Sequence, residues 1–214
     1  WWLYEVWGDD FSNDMRTSKY NVVPEAYYDL PTSKYYGKSI IAPETKSKLL
    51  EEQSWRWYPW PTKITTPGEH PEALYADPAL KTLKSTAGAT YLDQYMLRLA
   101  ETYLLRAEAF LMKGDKEKAA NDINEVRNRA HTSEVVASEV TIDYILDERA
   151  RELVYEEFRR ITLGRLGKYV ERVRKYNTLN GPRVEDYHEL FPIPYSAIEA
   201  NKDAVLEQNP GYKN

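Results

Sequence analysis

Residues 91–130 read YLDQYMLRLAETYLLRAEAFLMKGDKEKAANDINEVRNRA, and their spacing predicts two helices folded back on one another. Met96, Leu99, Ala100, Tyr103, Leu104, Ala107, Phe110 and Leu111 recur three and four residues apart, which draws one apolar stripe along the first helix. Gly114 tolerates the left-handed backbone that ends a helix, and Asp115 can cap the next by accepting from its free amides. In the second helix Ala119, Ala120, Ile123, Val126 and Ala130 share a face, with small residues where two backbones must approach closely. Such a hairpin leaves apolar surface that other parts of the chain must cover.

Downstream, His131–Glu139 reads as a polar connection. Thr141 then reads as the cap of a third helix, TIDYILDERARELVYEEF, in which Ile142, Ile145, Leu146, Ala150, Leu153, Val154 and Phe158 hold helical spacing. The alternating charges of Asp147, Glu148, Arg149, Arg151 and Glu152 predict a solvated face laced with ion pairs. Glu101 and Glu108, two turns apart, have Arg98, Arg106, Arg127, Arg149 and Arg151 available for pairing between helices. The chain bends over 159–169 around Gly164 and Gly167, turns at Asn180-Gly181-Pro182, and is held extended by Pro192 and Pro194. A short helix capped by a Ser196–Glu199 box and a final QNPGY turn follow.

Upstream, residues 1–90 hold all six tryptophans and eight of the 12 prolines, so long helices are interrupted and the region reads as loops. Short strands are expected at Tyr20–Val23 and Ile40–Ile41, and an extended segment over Glu51–Lys63 that sets Trp55 and Trp57 on one side. Trp55, Trp57 and Trp60 read as a strap packed on the helices. A stretch this long without periodic elements points to binding loops. Flat rings beside polar donors suit the apolar C–H faces of sugars, which makes Trp1, Trp2, Trp7, Tyr27, Tyr28, Tyr35 and Tyr36 the candidate carbohydrate-binding residues.

Bulk properties narrow the classes. A formal charge of -5 over 214 residues provides no positive field for nucleic acid, and no apolar run reaches the ~20 residues of a membrane span. Cysteine is absent, which removes disulfides and thiolate chemistry, and His70, His131 and His188 lack metal-ligand spacing. No cofactor, metal or catalytic residue is assigned, because no motif brings a base to a nucleophile. The opening WWLYEVWGDD has no initiator methionine, basic leader or cleavage site, so a fragment or processed product is expected.

Four blocks in order, LRLAETYLLRAEAFLMKGDKEKAANDINEVRNRA, ILDERARELVYEEFRR with LGRLGK, LFPIPYSAIEAN, and LEQNPGY, resemble the C-terminal part of the SusD/RagB family, surface glycan-binding lipoproteins of Bacteroidetes. DMRTSKYN and RWYPWPTK are similar to segments that precede the RLAE helix in that family. The hairpin also resembles one tetratricopeptide unit through Tyr103, Ala107, Phe110, Gly114, Ala119 and Ile123; one unit cannot bury a continuous core and must dock on other helices.

The resemblance implies a mostly α, SusD-like fold: a loop-rich aromatic region over 1–90, a helical region over 91–214 containing the tetratricopeptide-like hairpin (91–130), and an absent N-terminal half. It further implies non-catalytic binding of an oligo- or polysaccharide through an aromatic arc in the irregular region. Delivery to a TonB-dependent, SusC-like outer-membrane transporter would follow, from a surface-exposed lipoprotein whose lipid anchor lies in the missing part. Two rivals are a tetratricopeptide-type scaffold for protein partners and a glycoside hydrolase, which needs two carboxylates ~5–10 Å apart.

Overall fold

The computed structural model describes residues 2–23, 25–45, 60–63, 70–88 and 93–213, with side chains from Glu5 onward. The described residues are mostly helical, with α1 (Trp2–Trp7), α2 (Leu99–Met112), α3 (Lys116–Arg129), α4 (Ile142–Glu152), α5 (Arg159–Arg165), α6 (Tyr169–Tyr176) and α7 (Tyr195–Ala200). Two antiparallel two-stranded ladders accompany them, β1 (Val22–Val23) with β2 (Trp60–Pro61) and β3 (Tyr75–Asp77) with β4 (Thr82–Leu83). The chain divides into two compact units, Trp1–Glu156 and Glu157–Asn214, whereas its composition changes near residue 90.

In the first unit α2 and α3 form the expected hairpin. Gly114 has φ +81 and the Asp115 carboxylate accepts from the Lys118 amide at 3.1 Å, so turn and cap follow from those two residues. Leu104, Ala107, Ala119, Ala120, Ile123 and Val126 are buried together between the helices. Arg106 adds a forked bond to Asp122, at 2.8 and 2.6 Å. The helix on which the hairpin docks is α4, whose Ile145 joins the same core; Thr141 caps it by accepting from the Tyr144 amide.

Several expectations are corrected here. The first helix starts at Leu99, with Arg98 in extended conformation before it, so Met96 lies outside the stripe and is 89% exposed. The polar connection after α3 contributes Val135 and Val140 to the core, because the Asn124 side chain binds both the amide and the carbonyl of Val135. The third helix stops at Glu152, as Tyr155 turns to φ +64, which leaves Phe158 exposed. Within the loop-rich region 1–90, the short helix α1 buries Val6 and Trp7 against Ala150 of α4. The expected strand at Tyr20–Val23 is present at its end as β1, and Ser39 forms an isolated bridge with Tyr27 beside Ile40. Trp60 pairs with Val23 but remains 64% exposed, so it does not pack as a strap; Trp55 and Trp57 lie outside the described residues.

The second unit explains the LFPIP and QNPGY blocks. The Gln208 amide group donates to the Ile193 carbonyl (2.8 Å) and accepts from its amide (2.7 Å), reproducing with one side chain the pair of bonds that a neighbouring strand would make. Asn209 and Tyr212 donate to the carbonyls of Phe191 and Leu190. Gly211 sits at φ +90 against the Tyr187 ring, where any Cβ would collide. The Glu189 carboxylate accepts from the Tyr169 and Val170 amides and so caps α6, and Arg160 stacks over both Tyr169 and Phe191. The short α7 begins after Pro194 without a side-chain cap, so the Ser196–Glu199 box does not form; a reciprocal capping arrangement joins Glu185 and His188 instead.

Candidate functional site

The charged side of α4 faces inward. Glu148, Arg149 and Glu152 are at most 1% exposed, in contrast to the solvated face that alternating charge predicts. The turn at Met15–Thr17, the end of α3 and the residues leading into α2 supply partners for these groups, and pairing is what makes buried charge tolerable. Glu148 accepts from Arg16 at 2.7 Å, and from Arg127 and Arg151 at 2.9 Å each. Arg16 also forks onto Asp14, and Arg127 reaches Asp10 at 2.7 Å. Burial alone would raise the pKa of Glu148, but Arg151, Arg16 and Arg127 together hold it down at about 2.

The cluster continues to the surface. Glu152 accepts from Arg98 (2.8 Å), Arg129 (2.5 Å) and Arg16 (3.1 Å); Glu156 meets Lys63 and Arg98 at 2.6 Å each. The Glu152 carbonyl, at the C-terminus of α4, takes further bonds from Arg98 and Lys63, as suits the negative end of a helix. Burial pushes the Lys63 ammonium down, with Glu156 opposing. The separate pair Arg149–Glu101, at 3.2 Å, is one of the expected bonds between helices.

Above this cluster opens a cleft of about 370 Å³, near the lower end of the ~300–1,000 Å³ typical of ligand pockets. Its lining includes Trp7, Met15, Asn21, Pro61, Tyr95 and Arg129. Tyr95 is 65% exposed and stacks with the Arg98 guanidinium at 5.5 Å. A wider depression of about 610 Å³ over α6 in the second unit is lined by both signs of charge, including the Arg174–Asp186 pair, and by no aromatic ring.

The candidate aromatics separate into two groups. Tyr27, Tyr28, Tyr35 and Tyr36 are gathered by a small hairpin in which Tyr28 exchanges backbone bonds with Gly37 and Lys38, and the Ile40 amide donates to Ala26. Tyr28 and Tyr35 lie 5.3 Å apart at 48°, Lys34 sits over the Tyr35 ring, and Tyr27 and Tyr36 are more than half exposed. The Tyr27 hydroxyl donates to Glu25, whose carboxyl is lowered by hydrogen bonds from Ser39 and Tyr27. Tyr28 and Tyr35 thus form a ring pair, and Tyr27 and Tyr36 stand exposed on the same hairpin.

Trp7 is different. It is 4% exposed, packs edge-on against Phe11, and donates its indole N–H to Asp14 at 2.9 Å. That indole braces the ion cluster and presents no open ring face, which corrects its reading as a platform. The Trp2 side chain and all of Trp1 lie outside the described residues. Tyr95, which lies in the quoted helical block but before the helix begins, and Tyr20 are further exposed rings that no sequence motif marks, and Trp60 is exposed as well. Among the described residues no group of His, Cys, Asp and Glu could hold a metal ion, and no helix is long and apolar enough to cross a membrane.

A model of the SusD family matches residues 4–212. The starch-binding protein SusD of Bacteroides thetaiotaomicron is 40% identical over 138 residues, which cover 61% of this chain and 24% of that protein. The chain thus spans about a quarter of the length of that relative. Among solved structures, one named BT4246 is similar at 26% identity with a TM-score of 0.46, over 61% of this chain and 25% of that one.

Proposed function

The chain belongs to the SusD family, and from that premise we propose that it binds an oligo- or polysaccharide without cleaving it. The observation that carries the reading is the hairpin that brings Tyr28 and Tyr35 to 5.3 Å with Tyr36 exposed beside them, in a member of a family that includes a starch-binding protein. Aromatic rings recognise the C–H faces of sugars, while the neighbouring Lys34, Glu25 and Ser39 supply polar groups for hydroxyls. Binding rather than turnover also agrees with the buried acids. Glu148 and Glu152 have their carboxylates occupied by arginines, so they are not placed to protonate a glycosidic oxygen.

In this reading the sugar passes to a TonB-dependent, SusC-like transporter, and the protein is a surface lipoprotein of the outer membrane. The tetratricopeptide-like hairpin serves as scaffold. Calorimetry of the full chain against a polysaccharide panel, with analysis of the incubated sugars, tests the proposal. Binding of at least one glycan with no new reducing ends is the expected result; release of sugar, or no binding to any glycan, would overturn it. Co-purification with a TonB-dependent transporter from native membranes tests the partner.

A further inference from the structure

The ion cluster beneath the cleft is unevenly charged. Its cations are Arg16, Lys63, Arg98, Arg127, Arg129 and Arg151, and its carboxylates are Asp10, Asp14, Glu148, Glu152 and Glu156. Among the described residues the cations of the cluster thus outnumber its carboxylates by one, in a chain whose formal charge is -5. The cations differ in exposure. Arg16, Arg127 and Arg151 keep 11, 4 and 8% of their side chains in solvent, and Arg98 and Lys63 keep 16 and 26%. Arg129 keeps 59%, and among the described residues its guanidinium is engaged through Nη2, by Glu152.

Arg129 lines the same cleft as Tyr95, whose ring is 65% exposed. A planar, exposed cationic fork fits a carboxylate, and an open phenol ring fits the C–H face of a sugar. We propose that this cleft binds an acidic sugar unit, a hexuronic acid within an oligosaccharide, with its carboxylate on Arg129 and its ring against Tyr95. Glu152 and Glu156 do not repel it, because each already bridges two or more cations. Asn21 also lines the cleft, its side-chain NH2 donating to the Met15 carbonyl and the Ser18 hydroxyl. The proposal rests on the reading of the chain as a glycan-binding protein and adds a preference for charge.

Binding of the full chain to polygalacturonate, alginate and hyaluronan oligosaccharides, their methyl-esterified or carboxyl-reduced forms, and neutral glucans separates the two ideas. At least one uronate should bind, and neutralising its carboxyl should weaken it about tenfold or more, the scale of a hydrogen bond to a charged group. Arg129→Gln should reproduce that loss on the acidic ligand alone, Arg129→Lys should restore part of it, and Tyr95→Ala should weaken both acidic and neutralised forms. Thermal midpoints of the variants serve as the folding control. Equal affinity for the acidic and neutralised forms, or an Arg129→Gln variant that binds uronate as the parent does, overturns the acidic preference while glycan binding stands. Failure of every glycan overturns both.

Discussion

Arg16 Nη1 lies 2.7 Å from Glu148 Oε1 although 132 residues separate the two in sequence. The bond is partly buried and ties the turn after α1 to the middle of α4. Because Glu148 also holds Arg127 and Arg151, a single carboxylate joins the N-terminal segment, the hairpin and the helix that supports it. The same cluster forms the floor of the cleft, so the stability of the first unit and the shape of its concave surface have one origin.

Glu148→Gln should therefore be among the most damaging single changes in the chain. It leaves three arginines around a neutral group, and removing one partner of a buried ion network costs about 3–5 kcal/mol. Urea unfolding should show the loss as a lower midpoint. Glu134→Gln, at an exposed site where the carboxylate accepts from Asn128, should change stability by less than about 0.5 kcal/mol.

Acid should act through the same residue. The folded-state pKa of Glu148, about 2, lies below its ordinary value of 4.5, so its contribution is complete above the unfolded pKa and is lost as pH falls through the folded one. That contribution is on the order of 3 kcal/mol. Stability measured from pH 6 down to about pH 2 should fall mainly below ~4.5, and Glu148→Gln should flatten most of that slope. Asp10, lowered by Arg127 against a burial effect that would raise it, adds a smaller dependence of the same sign.

The two groups of aromatic residues should respond oppositely. Trp7→Phe removes the buried N–H bond to Asp14 and should cost about 1 kcal/mol of stability, with glycan affinity nearly unchanged. Tyr36→Ala removes a 58% exposed ring and should leave stability within about 0.5 kcal/mol. Its effect should be on glycan binding, by roughly the 0.5–1.5 kcal/mol of an aromatic contact. Calorimetry and thermal unfolding of both variants check the pair.

Gly211→Ala should loosen the second unit. The backbone there is left-handed at φ +90 and the Tyr187 ring fills the space that a methyl group would need, so strain and collision act together. A loss of about 1–3 kcal/mol is expected. Gln208→Leu, which deletes both bonds to Ile193, should raise amide exchange at Ile193, and Gln208→Glu should retain only the accepting half.

The helical part of this fold was legible where sequence signals are local. Asp115, Thr141 and the face Ala119–Ile123–Val126 act as caps and core as their spacing predicts. The face of α4 was misread for a physical reason: alternating charge marks a solvated helix only when no distant segment supplies counter-charges, and Arg16 and Arg98 come from far along the chain. Trp7 was likewise misread, since neither Phe11 at its edge nor Asp14 at its nitrogen declares a partner by sequence distance alone. Tyr28 and Tyr35 come together locally, within one hairpin closed by the bonds of Tyr28 to Gly37 and Lys38. Tyr95 became visible only once α2 was seen to begin at Leu99.

The branching of the cluster bears on how such a chain can change over generations. Glu148 and Glu152 each bond to three arginines, so no member can be exchanged alone without stranding charge in the interior. Substitutions there should be inherited in linked sets that switch several positions at once, while the tyrosine hairpin, whose exposed rings share no such bonds, can vary one residue at a time. The exposed rings of the hairpin are thus free to drift over a foundation that can be replaced only as a block.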